Sequence, residues 1–362
     1  MEDFEIHEGV LCYYNGPGGD VVIPDGVTAI GHFAFQGCED LTSVVIPDSV
    51  TSIGQEVFYD CALLTSVTLP KGLTTIGSSA FHGCHGLADS EGFVIINGIL
   101  FEYIGSSGTV VIPDTVTAIG ALAFSNCIDL TSITIPDHVT YIGDFAFSGC
   151  EHLTQIIIPD GIHAIPSWTF QGCRSLHRVT IPKSVQHIGE WAFFGCKSLT
   201  SLIIPGDAVT IEAAAFDGCH NLTDVRVSGV LSIRGYNAFS HCEHIIITAP
   251  QTPASLFEKR KLLLPALLGY LHHPEVYQDP EILQEYQDYL KPKARKLLLQ
   301  VFKEDLHQGL QAYQAAGIIT PENFESVFLR PALKANAAGC IAYLLEWKRQ
   351  HLPHQLPTDL NL

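Results

Sequence analysis

Nine cysteines stand at positions 38, 61, 84, 127, 150, 173, 196, 219 and 242, each 23 residues after the last except for one step of 43. So strict a period means that one small unit is used repeatedly. A unit of this length cannot bury its own apolar face, so the units must stack. Other positions keep the same register. Fourteen residues before the Cys is Pro in eight units, Pro24 to Pro205, with Ser228 in the ninth. Three before is always Phe, from Phe35 to Phe239. Seven before is Gly in seven units, with Pro166 and Glu212 as exceptions, and three after is Leu in eight, with Ile245 in the last.

Leu41 to Cys61 shows how one unit reads. Val44-Val45-Ile46 is a short β-branched strand whose alternation sends Val44 and Ile46 inward and Val45 outward. Pro47 ends it, where a missing N–H harms a ladder least. Val50 and Ile53 fill the core, Gly54 is expected to let the backbone turn, and Phe58 and Cys61 pack the return side. A period in the twenties with this pattern reads as a leucine-rich solenoid.

The recurring I-P…I-G-x-x-A-F-x-x-C signature over about residues 4–249 resembles the Treponema pallidum-type, BspA-like, leucine-rich repeat family of bacteria. That resemblance implies a right-handed solenoid with a parallel β-sheet on its concave face; with the helical segment read below, the chain is expected to be α+β, a solenoid of 23-residue repeats followed by a small all-α C-terminal domain. It also implies a protein found mostly on bacterial surfaces that binds proteins or other macromolecules.

The 20 extra residues in the long step are a duplication. Residues 4–38 and 93–127 share 20 identities in 35. Hairpin-like modules are expected at 4–23 and 93–112, the second with Asn97-Gly98 as its turn. The first module should cap the N-terminal edge and the second should form an irregular coil, giving tandem blocks 1–88 and 89–249. Around Pro250 and Pro253 the rhythm stops. Residues 250–352 read as a helical domain rich in good helix formers, and 353–362 as a tail. Helices are expected from Ser255 to Leu264, Ala266 to His272, Glu281 to Leu290, Lys293 to Lys303 and Leu306 to Ala316, with Gly317 as a stop. Thr320-Pro321 should open the next helix as N-cap and first residue. Asn323 to Ala335 and Ala338 to Arg349 resemble an ankyrin-type helix pair.

Charge is unevenly spread. The net is −19, and residues 1–150 hold a single base, Lys71, against 18 acids. Such a surface argues against nucleic acid and anionic membrane as partners and can steer a basic one. No apolar run is long enough to insert in a membrane. The acidic N-terminus lacks the basic start and apolar stretch of a signal peptide, so the chain alone suggests a cytoplasmic protein, where the family resemblance suggests the cell surface.

The search for chemistry returns structural readings. No C-x-x-C pair occurs, and equivalent side chains in stacked coils point parallel, so the cysteine ladder is expected to be buried free thiols rather than disulfides or a metal site. Cys12 and Cys340 lie outside the ladder. The 17 histidines fall mostly at turns, and His272-His273 and His351…His354 lack a Cys or carboxylate frame. Gly16-Pro17-Gly18-Gly19 lacks the lysine and helix of a phosphate loop, and no serine sits in a nucleophile elbow. No catalytic residue, metal ligand or cofactor is assigned. The candidate partner-binding residues are the outward strand positions Val22, Val45, Thr68, Val111, Thr134, Ile157, Thr180 and Ile203, with Arg178 and Arg226. The expected function is a non-enzymatic protein-binding scaffold. The alternative is a cell-surface adhesin or glycan-binding protein.

Overall fold

The protein is described over residues 3–352 by a computed structural model. The tail read over 353–362 lies outside the described residues. The chain forms a parallel-strand β-solenoid of about ten turns followed by helices. It divides into two compact units. Of the described residues, the first comprises 3–201, Thr210–Leu222 and Arg234–Glu243, and the second Leu202–Val209, Thr223–Ile233 and 244–352.

In the first unit each coil contributes two strands. The first ends just before the proline: Gly19–Val22, Leu41–Val45 and Ser66–Thr68 pair in parallel as one sheet, and Thr109–Val111, Ser132–Thr134, Gln155–Ile157 and Arg178–Thr180 as another. The second strand, just before the glycine column, is two residues long in most coils, as in Ser52–Ile53 and Tyr141–Ile142. The alternation is as the β-branched pattern dictates, with Val44 and Ile46 buried and Val45 exposed.

Between the strands runs a ladder of phenylalanines. Rings 35, 58 and 81 stack at 5.1 and 5.0 Å, and rings 124, 147, 170, 193, 216 and 239 at 5.1–5.5 Å. Beside them each buried ladder thiol donates to the carbonyl of the preceding coil's phenylalanine. Cys61 reaches Phe35 at 3.2 Å, Cys150 reaches Phe124 at 3.1 Å and Cys196 reaches Phe170 at 3.1 Å. A thiol therefore suits this position in two ways: it is small and apolar, yet it carries a weak donor. All eleven cysteines are free. Cys38 and Cys127 are only half-buried. Each is the first ladder cysteine of its block, with no ladder cysteine in the coil before it.

Two features of the coil differ from the sequence reading. Gly54 does not serve a left-handed turn. A Cβ there would stand 2.7 Å from the His32 amide nitrogen of the neighbouring coil, and at Gly143 it would stand 2.4 Å from that of Ala121. The column is glycine because coils touch backbone to backbone there. The left-handed residues lie elsewhere, two per coil. One column is Phe33, Glu56, Ser79, Leu122, Phe145, Trp168, Trp191, Ala214 and Asn237; the other precedes each cysteine, as Gly37, Asp60, Gly83, Asn126 and so on.

The duplicated modules are antiparallel hairpins, Phe4–His7 with Val10–Tyr14 and Phe93–Ile96 with Ile99–Tyr103. Asn97 and Gly98 both have positive φ, as a two-residue hairpin turn requires. The copies differ on one face. Val94 and Phe101 are buried in the core of the first block, whereas their counterparts Glu5 and Cys12 are not. Glu102, the counterpart of exposed Tyr13, accepts the Gly83 amide at 2.8 Å and lies 3.5 Å from His85. Apolar residues thus let the second hairpin join the blocks, and polar ones let the first face water.

In the second unit the strands Ser201–Ile204, Asp224–Val227 and Ile246–Thr248 form a third sheet. Helix α1 (Ala254–Lys259) stops short of the expected Leu264, because Lys261 adopts φ +60° and breaks it. Helix α2 (Leu263–His272) packs on strand Ile246–Thr248. Gly269 permits this: a Cβ there would meet the Ile247 carbonyl oxygen at 2.0 Å. The Ala249 amide donates to the Tyr277 hydroxyl at 3.3 Å, and Tyr270, Tyr277 and Tyr286 form a buried cluster.

Helix α3 (Pro280–Lys303) is capped by Asp279 and runs unbroken through Pro292, where two helices were expected. Residues 288 and 292 are both exposed, so water can satisfy the carbonyl that the proline leaves without a donor. Helix α4 (His307–Ala315) ends in a Schellman turn. There Gly317 at φ +66° donates to Gln314 and Ile318 to Tyr313, both at 2.9 Å. Thr320 does not cap a helix from Pro321. Residues 321–323 form a turn, and the Asn323 side chain ties it to the Thr320 amide and the Ile318 carbonyl. A π-helical stretch, Phe324–Leu329, leads into α5 (Arg330–Ala335), and α6 (Ala338–His351) follows.

Candidate functional site

The strand face is built from positions that the core cannot use. Each three-residue strand sends its middle side chain inward, as Val110, Ile133, Ile156 and Val179 show. Its first and third residues must then point out. Parallel register stacks them in columns, Val111 beside Thr134 and Ile157 beside Thr180, about 4.8 Å apart at the backbone. The apolar members are well exposed: Val22 is 66%, Val45 40%, Val111 63%, Ile157 69% and Ile203 59% accessible.

The structure groups the candidates into three sheets. Val22, Val45 and Thr68 share the N-terminal one, and Val111, Thr134, Ile157, Thr180 and Arg178 share the second. Ile203 and Arg226 belong to the sheet of the second unit. The inserted hairpin lies in sequence between the first two groups, and no ladder joins Ser66–Thr68 to Thr109–Val111.

The companion column is polar. Asp20 accepts from Ser43 at 2.6 Å and Thr42 at 3.0 Å, and these hydroxyls hold its carboxyl below the usual range. Arg226 pairs with Asp224 on its own strand at 2.9 Å. Val111 also lines a shallow cleft of about 380 Å³ with Glu91, Phe93, Tyr103, Ser107, Thr109 and Val110.

Two surface features lay outside the sequence reading. One is an aromatic column on the return side: Phe145 stacks on Trp168 at 5.6 Å and Trp168 on Trp191 at 5.0 Å, with Phe194 edge-on at 5.0 Å. Spacing could have found it, since 145, 168 and 191 are 23 apart. Trp168 lies between the other two rings, so both of its faces are covered. The other is a column of aspartates in the turns that leave the strands, Asp25, Asp48, Asp114, Asp137 and Asp160, all exposed.

No group of three or more His, Cys, Asp or Glu that could hold a metal occurs among the described residues, and no described helix is long and apolar enough to cross a membrane. The ladder thiols are poor nucleophiles: burial pushes Cys61 up to about 12 and Cys127 to about 11, and Cys150 and Cys196 higher still.

Comparison with known proteins recovers the repeat. A family described as the BspA type leucine rich repeat region matches in six copies over residues 9–130, 94–209 and 192–259. Among solved structures, the leucine-rich repeat protein of Treponema pallidum is 29% identical, covers 59% of this chain and 82% of its own, and has a TM-score of 0.31. A leucine rich cell surface protein of Faecalibacterium prausnitzii is 24% identical, with coverage of 61% and 90% and a TM-score of 0.38. A leucine-rich repeat protein of Bacteroides ovatus is 24% identical, with coverage of 70% and 77% and a TM-score of 0.35. No curated protein matches.

Proposed function

The chain belongs to the BspA-type leucine-rich repeat family, and from that premise we propose that it is a non-enzymatic scaffold that binds a protein through its outward strand face. One observation carries the reading. The strands Thr109–Val111, Ser132–Thr134, Gln155–Ile157 and Arg178–Thr180 hold exposed Val111 and Ile157 in a rigid, repeated register above a packed core. Burying such β-branched side chains against a partner contributes roughly 1.5–3 kcal/mol each when complete, and they pay little side-chain entropy because they are stiff.

The test is capture from the source cells with the wild-type chain and with Val111→Lys/Ile157→Lys. Both side chains point away from the core, so the variant should fold. The wild type should retain a partner that the folded variant loses; equal retention moves the site elsewhere.

A second reading is display at the cell surface, where the Faecalibacterium relative is described as a cell surface protein; an adhesin would act there. Eleven unpaired thiols favour a reducing compartment instead. Protease treatment of intact cells separates the two. A glycan platform on Trp168 is disfavoured, because sugars stack on open ring faces and Phe145 and Trp191 cover both of its faces.

A further inference from the structure

Three residues beyond each outward column residue, past the strand-ending proline, comes the first turn position. In the second sheet it holds Asp114, Asp137, Asp160 and Lys183, and in the N-terminal sheet Asp25, Asp48 and Lys71. The turn closes through an amide three residues after the proline, Val116 to Pro113 at 3.0 Å and Val139 to Pro136 at 3.1 Å. It closes in the same way over lysine, with Val185 to Pro182 and Leu73 to Pro70 both at 3.3 Å. In the second sheet the fold therefore does not require a carboxylate there, whereas Asp48 of the N-terminal sheet accepts the Lys71 amide of the next coil at 3.2 Å.

Asp114, Asp137 and Asp160 occupy consecutive coils, so their backbones are about 4.8 Å apart and their charges repel. No ion pair involves them among the described residues. They edge the strand face that carries Val111 and Ile157, and the run stops where Arg178 and Lys183 enter the next coil. The counter-charge is thus left for something outside to supply, next to a column in which exposed Val111 and Ile157 alternate with Thr134 and Thr180.

We propose that the occupant of this face is a polypeptide segment bearing interleaved apolar and Lys or Arg side chains. Its apolar residues would sit on Val111 and Ile157, and its cations would lie along Asp114, Asp137 and Asp160. This rests on the strand-face reading above and adds the chemistry of the partner. Cations closing on three stacked carboxylates relieve their mutual repulsion, and the acidic N-terminal half accelerates encounter at low salt.

The test uses the full chain and fluorescent peptides of about 12 residues with Ser at every second position, so that the remaining side chains share one face, in three kinds: Val and Lys in turn, Val and Glu in turn, and Ser and Lys in turn. The Val–Lys peptide should bind about tenfold or more tighter than either other, and weaken with added salt. Asp114→Asn/Asp137→Asn/Asp160→Asn should weaken it by about tenfold. Removing the same charge elsewhere, with Glu190→Gln/Glu243→Gln/Glu281→Gln, should change it by less than about twofold. Absence of Val–Lys binding, equal binding of Val–Glu, or equal loss in both triple variants overturns the proposal. Val111→Ser/Ile157→Ser distinguishes the levels of failure. If Val–Glu binds as well as Val–Lys and both are lost in this variant, the face binds but the cationic class is wrong. If the variant keeps all binding, the strand-face reading falls with it.

Discussion

Cys150 shows how much one side chain is asked to do. It is fully buried, and its thiol donates to the Phe124 carbonyl, which also accepts the Cys127 amide at 3.2 Å. Cys150→Ala should therefore cost about 1–3 kcal/mol in urea unfolding, from lost packing and a lost donor. Cys150→Ser keeps a donor and should fall between alanine and wild type. Gly143→Ala should cost a similar amount, about 1–3 kcal/mol, because its Cβ would press on the Ala121 backbone. Native thiol labelling should reach Cys38 and Cys127 well before the seven buried ladder cysteines. The burial of the ladder was legible from its period. The exposure at its two starts was not, because it depends on what the preceding coil lacks. Nor was the role of Gly54, since a glycine needed for close approach and one needed for a turn look alike in sequence. The left-handed columns were hidden by their residues: Phe, Trp, Leu and Glu give no hint of positive φ, and only the stacking of coils imposes it.

Strands and helices were legible to different degrees. Strand register followed from β-branched alternation, because a slip of one residue would turn Val44 out and Val45 in. Helix limits depended on tertiary partners. Pro292 reads as a break, yet α3 passes through it on the exposed side. Asn323 and Asp305 do work that no local motif announces. Asp305, 33 residues before the start of α6, accepts the Gly339 and Cys340 amides at 2.8 Å each, and these bonds hold its carboxyl below 3.8. Asp305→Ala should destabilise the helical region by about 1 kcal/mol. A depressed carboxylate contributes above its unfolded value, so this contribution should be present at neutral pH and lost as pH falls below 3.8. Thermal unfolding of the wild type and variant across pH 2–6 (a window set by that value) checks both statements. Gly269→Ala should be more damaging, since α2 could no longer lie on strand Ile246–Thr248.

For the whole molecule, the seven buried ladder cysteines make alkaline pH the sensitive direction. Burial raises them above their ordinary 9.0, to about 12 for Cys61, Cys173 and Cys242. A raised group stabilises the fold fully below its unfolded value and progressively less above it. Stability should therefore fall from pH 9 upward, by about 1.4 kcal/mol per pH unit for each such cysteine, which unfolding curves in that range can measure. The aspartate column lay outside the sequence reading, although its 23-residue spacing is present in the sequence; only the strand face beside it gives it meaning. The central claim is that this face, and not the return side or the helices, holds the partner. It is tested most directly by placing the photo-crosslinking residue benzoylphenylalanine at Ile157, Trp168 or Leu333 of the full chain in the source cells. The account predicts a crosslinked adduct from position 157 and none from 168 or 333. Adducts from 168 or 333 with none from 157 would contradict it.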